Sequence, residues 1–327
     1  GPIQMEQICT DFTLDVAWRQ ILGLDLESDE EIKEFQDNVN AWVSGLGKLR
    51  SIIGIGAKQT KAYKARMHLM EVVKDKIAEL RKNGDDSSTL SKMVFATDDE
   101  AGGVRKMSDE EIIDNSLVLI LAGSETAATT LMNAMLALGL QKDKWAKLVE
   151  EQASIRDKYG DELTHSILEK ECPYLDGVIK ESLRLRTVPG GVPRRTVKTM
   201  VVDNKQIPKG WLINWCPVLT HYYDPKTYRE DGSHYDIRTG FEPERWMSEA
   251  TAPAEFIPFG ASHRYCLGAN LAMAEMRVFL ASLARKIDFD LATITPESKI
   301  EWRPLGVIPK EKDGVMVNAR KSELVLN

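Results

Sequence analysis

The chain has 327 residues, enough for one large domain or two ordinary ones, and its formal net charge at pH 7 is -7. This acidic balance argues against a nucleic-acid partner, because contacts to phosphates need a concentrated basic surface. The four cysteines lie far apart and form no CxxC pair, so the sequence predicts neither a zinc site nor a disulfide framework. No window approaches the roughly 18 uncharged apolar residues that a membrane span requires.

The first third of the chain has the apolar spacing that is typical of helices. Helices are predicted from near Gln7, from Asp29 to Leu46, and from Lys58 to Lys82, where Asn83-Gly84 ends the pattern. Two glycines within the apolar hexamer Ser51 to Gly56 predict a loop between the second and third helices. Residues 84–106 are predicted to form a surface connection.

A long central helix is predicted to begin at Ser108 and to end near Leu140. Ser108 and Glu111 have the spacing of a capping box, in which a serine hydroxyl and a glutamate three residues later satisfy the first free amides of a helix. A helix of this size spans roughly 50 Å at 1.5 Å per residue. Such a length indicates a central element of the fold.

The rest of the chain mixes helices with short strands. Further elements are predicted as helices over 142–158 and 174–186, strands over Thr199–Asp203 and Trp211–Trp215, an irregular stretch over 221–264, a helix over Cys266–Lys286 and short strands in the tail. No internal repeat or linker divides the chain. The expected fold is therefore mainly α with small β-sheets (α+β), in a single domain over residues 1–327.

An irregular segment places Cys266 at the predicted start of the last helix. Free amides and the positive end of the helix dipole favour a thiolate there, which prepares the cysteine to bind a metal. In the sequence Phe259-Gly260-Ala-Ser-His-Arg-Tyr-Cys266-Leu-Gly268, the two glycines would let the backbone approach a flat cofactor closely. A lone cysteine in a loop is by itself more often a buried structural residue, so this segment needs support from other motifs.

Two further segments give that support. Glu181 and Arg184 have i,i+3 spacing in Glu-Ser-Leu-Arg, and Arg245 follows in Phe-Glu-Pro-Glu-Arg-Trp. In order and separation they resemble the ExxR helix and the PERF-type segment of the cytochrome P450 family. The resemblance implies a P450-like fold and a buried triad of Glu181, Arg184 and Arg245 that fixes the irregular stretch before Cys266.

The middle of the long helix also resembles this family. Ala122-Gly123-Ser-Glu125-Thr126 matches its oxygen-activation sequence, in which small residues leave space for dioxygen and an acid and a threonine deliver protons. In isolation such a segment is more often just a tight helix contact. Two residues depart from the family pattern: Ser262 stands where glycine is usual, and Ala127 follows Thr126 where a second hydroxyl residue is common.

The resemblance implies haem b as the cofactor, with Cys266 as its proximal iron ligand. Arg264 is expected to pair with a haem propionate, and Arg194 is a second candidate for that role. It is equally expected that Arg194 is simply exposed and solvated. His263 is the competing iron ligand, but the family's loop places it in a non-ligating position. Phe259, Gly260 and Gly268 are expected to line the cofactor.

The implied activity is monooxygenation of a lipophilic substrate, with electrons from NAD(P)H delivered by a separate reductase or ferredoxin. No flavin or nicotinamide fingerprint occurs in the chain, so reduction would need such a partner. Val188-Pro-Gly-Gly191 and Ile207-Pro-Lys-Gly-Trp211 are weakly similar to retinoic-acid-hydroxylase and sterol- or isoprenoid-modifying members. Strand and turn chemistry could also account for both segments.

Two alternatives stay open from the sequence: a haem-thiolate isomerase or dehydratase of hydroperoxides, and a haem-free scaffold or interaction module. The second arises because the family's N-terminal portion has no counterpart here, so the chain is expected to be a fragment or a shortened relative. The sequence does not determine the location; the two options are the cytoplasm and the cytoplasmic face of a membrane, with peripheral contact through the Ser51–Gly56 loop.

Overall fold

A computed structural model describes residues 1–46, 57–97, 106–302 and 314–322. The α-helices of these residues are α1 Met5–Val16, α2 Asp29–Val43, α3 Lys61–Asn83, α4 Thr89–Phe95, α5 Asp109–Leu140, α6 Lys142–Tyr159, α7 His165–Lys170, α8 Pro173–Leu185, α9 Pro217–Tyr222 and α10 Ala269–Lys286. The Ser51–Gly56 loop, proposed above for membrane contact, lies outside the described residues. The structure confirms the mainly helical fold with small sheets.

The strands among the described residues are short and antiparallel. They are β1 Ile3–Gln4, β2 Val192–Arg195, β3 Met200–Val202, β4 Lys205–Ile207, β5 Leu212–Trp215, β6 Ile287–Leu291 and β7 Met316–Lys321. β7 lies between β1 and β6, with Val317 opposite both Ile3 and Leu291, while β2 pairs with β5 and β3 with β4. The strands predicted over Thr199–Asp203 and Trp211–Trp215 are thus confirmed as β3 and β5, each in a two-stranded antiparallel sheet.

The chain divides into two compact units, one formed by Thr10–Glu125 and the other by Gly1–Cys9 with Thr126–Asn327. In the first unit, α2 packs on α3, and the rings of Trp18 and Phe35 form an edge contact at 5.7 Å between centroids. In the second unit, Trp145 of α6 and Phe289 of β6 form a similar edge contact at 4.9 Å. The single domain expected from the sequence stays a prediction.

Helix α5 begins as the sequence predicts. The Glu111 carboxylate accepts a hydrogen bond from the Ser108 amide at 2.9 Å, and the Ser108 hydroxyl accepts one from the Glu111 amide at 3.2 Å, which confirms the capping box. By length and composition α5 could also cross a membrane, contrary to the sequence expectation, because its most apolar 18-residue stretch has a mean hydropathy of 1.3 although it includes Glu125. In the structure 61% of its most apolar window is buried, as in the core helix of a globular protein.

Two predictions about the helices are wrong. The supposed surface connection over 84–106 contains α4, where the Ser88 hydroxyl caps the helix by accepting from the Ser91 amide at 3.0 Å and Leu90 is fully buried. A seven-residue helix is too short to be stable alone, so this burial stabilises it. The last helix begins at Ala269 and not at Cys266, because Gly268 is its N-terminal flanking residue.

Candidate functional site

The fully buried carboxylate of Glu181 lies at the centre of a dense polar network in the second unit. Its Oε2 accepts from Arg184 Nε at 2.9 Å, and its Oε1 accepts from Arg184 Nη2 at 2.8 Å and from Arg245 Nε at 2.9 Å. The Trp246 indole donates to Oε2 at 3.0 Å, and the Glu242 amide donates to Oε1 at 3.1 Å. The structure therefore brings together the three residues of the expected triad and adds two donors.

Arg184 extends this network to the backbone of the irregular stretch. Its Nη2 also donates to the carbonyls of His234 at 2.9 Å and Gly240 at 3.0 Å. At Gly240 a Cβ would lie 2.4 Å from the His234 carbonyl carbon, so only glycine allows this approach. The network thus holds a segment without regular secondary structure against helix α8.

His221 and Asp224 belong to this region, and sequence reasoning did not find them; Trp246 stands in the segment quoted with Arg245, but no role was predicted for it. His221 and Asp224 are almost fully buried, and burial lowers the pKa of His221 to about 4. The His221 Nε2 accepts a hydrogen bond from the Ile257 amide at 3.0 Å, two residues before Phe259. No local spacing pattern could have indicated this pairing, because 36 residues separate the two partners.

The cysteine loop, residues 259–268, follows directly. The Cys266 amide donates to the Phe259 carbonyl at 2.8 Å, which closes the loop at its base, and Gly260 has a φ of +84°. Cys266 and the residues around it are exposed, so the alternative of a buried structural cysteine does not hold. The thiol lies just before α10 and not within its first turn.

The loop's side chains fit a haem on their own properties. Leu267 is 86% exposed beside the exposed Cys266 thiol, and Arg264 is exposed and forms no ion pair with any residue that the structure describes. A haem has an iron that can bind a thiolate, an apolar face and anionic propionates, which would suit Cys266, Leu267 and Arg264 in turn. Among the described residues, no cluster of three or more His, Cys, Asp or Glu side chains could hold a metal ion in another way.

The other expected site residues are placed as follows. Arg194 lies on β2, is exposed, and donates to the carbonyl of Pro193 at 3.0 Å. His263 lies in the short 3₁₀ turn Ser262–Arg264 and is exposed. Ala122, Gly123, Glu125 and Thr126 lie in the middle of α5, which is α-helical throughout, and Glu125 and Thr126 are half-buried.

A family model for cytochrome P450 matches residues 1–317. The chain belongs to the cytochrome P450 family. It is 30% identical to the β-amyrin 11-oxidase of Glycyrrhiza uralensis, over 75% of this chain and 49% of that protein. It is 28% identical to the cholesterol 16,22-dihydroxylase CYP90G4 of Trigonella foenum-graecum, over 94% of this chain and 63% of that protein.

The solved structure of retinoic acid bound cyanobacterial CYP120A1 has the same fold. It superposes with a TM-score of 0.81 at 26% identity, covering 98% of this chain and 70% of that one. The chain spans only about half the length of the first curated P450 relatives that it matches. These comparisons show the family and the fold of the chain but not the activity of the whole protein.

The Glu181 network should respond sharply to the loss of one charged member. We expect Arg245→Leu to lower the free energy of unfolding by about 3–5 kcal/mol, because it leaves a buried carboxylate with less compensation. Arg229→Leu is the matched control: its exposed guanidinium pairs with Glu242 at 3.0 Å, so its loss should cost under about 1 kcal/mol. Denaturant unfolding of both variants measures the difference, and equal small losses would contradict the network's importance.

Ser262 has a φ of +55°, a left-handed conformation that costs a residue with a Cβ about 1–2 kcal/mol. Glycine avoids that cost but gains freedom in the unfolded chain, so we expect Ser262→Gly to raise the free energy of unfolding by about 0.5 kcal/mol. The control is Ala254→Gly, at an exposed position without positive φ, which should lower it by a similar amount. A lower stability for Ser262→Gly in denaturant unfolding would show that the serine is not strained.

Proposed function

We propose that this chain carries the haem-thiolate centre of a monooxygenase that inserts one oxygen atom of dioxygen into a lipophilic substrate. The observation that carries this proposal is the exposed Cys266 thiol on a loop closed by the bond between its amide and the Phe259 carbonyl. An exposed thiol in such a loop, inside the family's signature, is suited to bind an iron from one side. When bound, haem supplies the redox-active iron at which dioxygen is activated.

The chain's own residues would hold the cofactor in a defined orientation. Cys266 Sγ would bind the iron, and the Arg264 guanidinium would bind a propionate through charge-assisted hydrogen bonds, with Arg194 as the second candidate. Gly260 and Gly268 lack side chains that would obstruct a flat ring, and at Gly268 even an added Cβ would meet nothing within 4 Å. The aromatic ring of Phe259 would add apolar contact beside them.

On the central helix, the residues near Thr126 would serve the oxygen chemistry. Ala122 and Gly123 are small and would leave space beside the iron. The Thr126 hydroxyl and the Glu125 carboxylate would accept and pass on protons, because a carboxyl group can act as a general acid or base. Electrons from NAD(P)H would arrive through a separate reductase or ferredoxin, as is general in this family.

Iron ligation tests the proposal directly. We expect Cys266→Ser to abolish the thiolate-type absorption band of the reduced carbon monoxide complex, because a neutral hydroxyl is a poor ligand for haem iron. Cys216→Ser is the control, since the half-buried Cys216 thiol bonds to the Gly190 carbonyl and has no role in the loop. A thiolate-type band that survives in Cys266→Ser would assign the ligand to another residue.

For the substrate we propose a polycyclic or polyene isoprenoid. The support is that relatives are described as acting on β-amyrin and cholesterol, and a structural neighbour as bound to retinoic acid. Titration of the haem-loaded chain with these three compounds should give a saturable change in haem absorption for at least one, because a substrate alters the surroundings of the iron. Palmitic acid is the control, and a saturable response to it alone would contradict the isoprenoid class.

A further inference from the structure

A continuous series of hydrogen bonds joins helix α8 to the cysteine loop. The Thr187 hydroxyl, just beyond α8, donates to the Leu183 carbonyl at 2.7 Å and lies 2.9 Å from His221 Nδ1. On the other side of the ring, His221 Nε2 accepts from the Ile257 amide at 3.0 Å. All these groups lie in the second compact unit, and Thr187 and His221 are fully buried.

The partners of His221 determine which nitrogen carries its proton. Nε2 faces an N–H donor and must be unprotonated, so the proton of the neutral ring is on Nδ1 and is donated to the Thr187 oxygen. The Thr187 hydroxyl in turn has its own acceptor at Leu183. Every donor in the series thus has an acceptor, and the ring is further fixed by stacking on Phe256 at 5.6 Å between centroids.

Asp224 holds the same segment at a second point. Its Oδ2 accepts from the Glu255 amide at 2.8 Å, and its Oδ1 accepts from the amides of Lys226 and Thr227 at 3.0 and 3.2 Å. Asp224 is 1% exposed, so these bonds satisfy a carboxylate that has almost no access to water. The segment is therefore held at two alternate amides, those of Glu255 and Ile257.

The clamped residues lead directly into the cysteine loop. The Ile257 carbonyl accepts a hydrogen bond from the Gly260 amide at 3.1 Å. Two residues later, the Phe259 carbonyl accepts one from the Cys266 amide at 2.8 Å. Residues 261–268 are exposed, so the backbone of the loop depends on the bonds at its base. A shift at Ile257 would consequently move the turn on which the thiol depends.

We propose that His221 and Asp224 form a clamp that positions Cys266 for iron ligation by fixing the amides of Glu255 and Ile257. This inference rests on the proposed function for the identity of the ligand, but the clamp itself involves only residues of this chain. His221 and Asp224 are positioning residues, because they act on the thiol through the backbone. The occupied site would lose its ligand geometry when the clamp is removed.

The variants separate this role from general stability. His221→Leu removes the hydrogen bonds of the ring to Thr187 and to the Ile257 amide, whereas His221→Gln keeps an amide oxygen as acceptor and an amide N–H as donor. His234→Leu is the matched control: His234 is also fully buried and its ring also makes two hydrogen bonds, accepting from the Arg229 amide at 3.1 Å and bonding the Tyr222 carbonyl at 2.8 Å. Neither of those bonds touches residues 255–259.

In the haem-loaded protein, the readout is the thiolate-type share of the reduced carbon monoxide complex. We expect His221→Leu to lower the ratio of thiolate-type to other complex about fivefold, the effect of losing the one buried hydrogen bond that the ring makes to the loop segment, from the Ile257 amide. His221→Gln should restore most of it, and His234→Leu should keep the wild-type ratio. An unchanged ratio in His221→Leu, or an equal fall in His234→Leu, would overturn the proposal.

In the haem-free protein, the readout is hydrogen exchange of the Ile257 and Cys266 amides. Both should exchange about fivefold faster in His221→Leu than in His234→Leu, because their protection depends on the clamp. If His221→Leu does not fold, Thr187→Val takes its place, since it removes the hydroxyl that anchors the ring, and the same differences are expected. A wild-type protein without a thiolate-type band would refute the proposed function. If the Ile257 and Cys266 amides exchange in His221→Leu at the same rates as in His234→Leu, the clamp is refuted.

Discussion

The structure of the second unit depends on the burial of one negative charge. The Glu181 carboxylate is fully excluded from water, and such a charge is tolerated only where hydrogen bonds and opposite charges replace its hydration. Five donors do so here, from Arg184, Arg245, Trp246 and the Glu242 backbone. Because these donors come from segments more than 50 residues apart along the chain, satisfying the charge also fixes the path of the backbone.

That path has little regular structure, which explains why buried polar groups are needed to define it. Between α9 and α10 the backbone has only short 3₁₀ turns, so most of its amides have no partner in a helix or strand ladder. Buried side chains supply the missing acceptors: Glu181 for Glu242, Asp224 for Glu255 and His221 for Ile257. Each such bond is specific in direction, and a series of them can hold a loop more exactly than apolar contacts alone.

The sequence predicted the elements whose signals are local. The capping box at Ser108, the long helix and the strand pieces near Trp211 all depend on residues a few positions apart, and all were found. Helix α4 was missed because burial of Leu90 stabilises it and not its own propensity. The start of α10 was placed three residues early, since an apolar pattern does not show which residue adopts the flanking conformation.

The candidate site was predictable only in part for the same reason. The triad residues could be named because they resemble motifs with known order, and the structure places them in contact. His221 and Asp224 have no such pattern around them, and the amides of Ile257 and Glu255 that they bind lie 36 and 31 residues away along the chain. Long-range pairings of this kind follow from the fold and cannot be read from spacing in a single sequence.

The exposed and the buried residues of this site have different roles. Cys266, Arg264 and Leu267 are exposed, so few protein contacts would be lost if they were changed, and their value lies in what they can bind. The network of Glu181 and the clamp of His221 are buried, so changes there act first on stability and only then on the loop. A variant that alters iron ligation at unchanged stability therefore identifies a residue that touches the cofactor, whereas one that alters both identifies a residue that supports the loop.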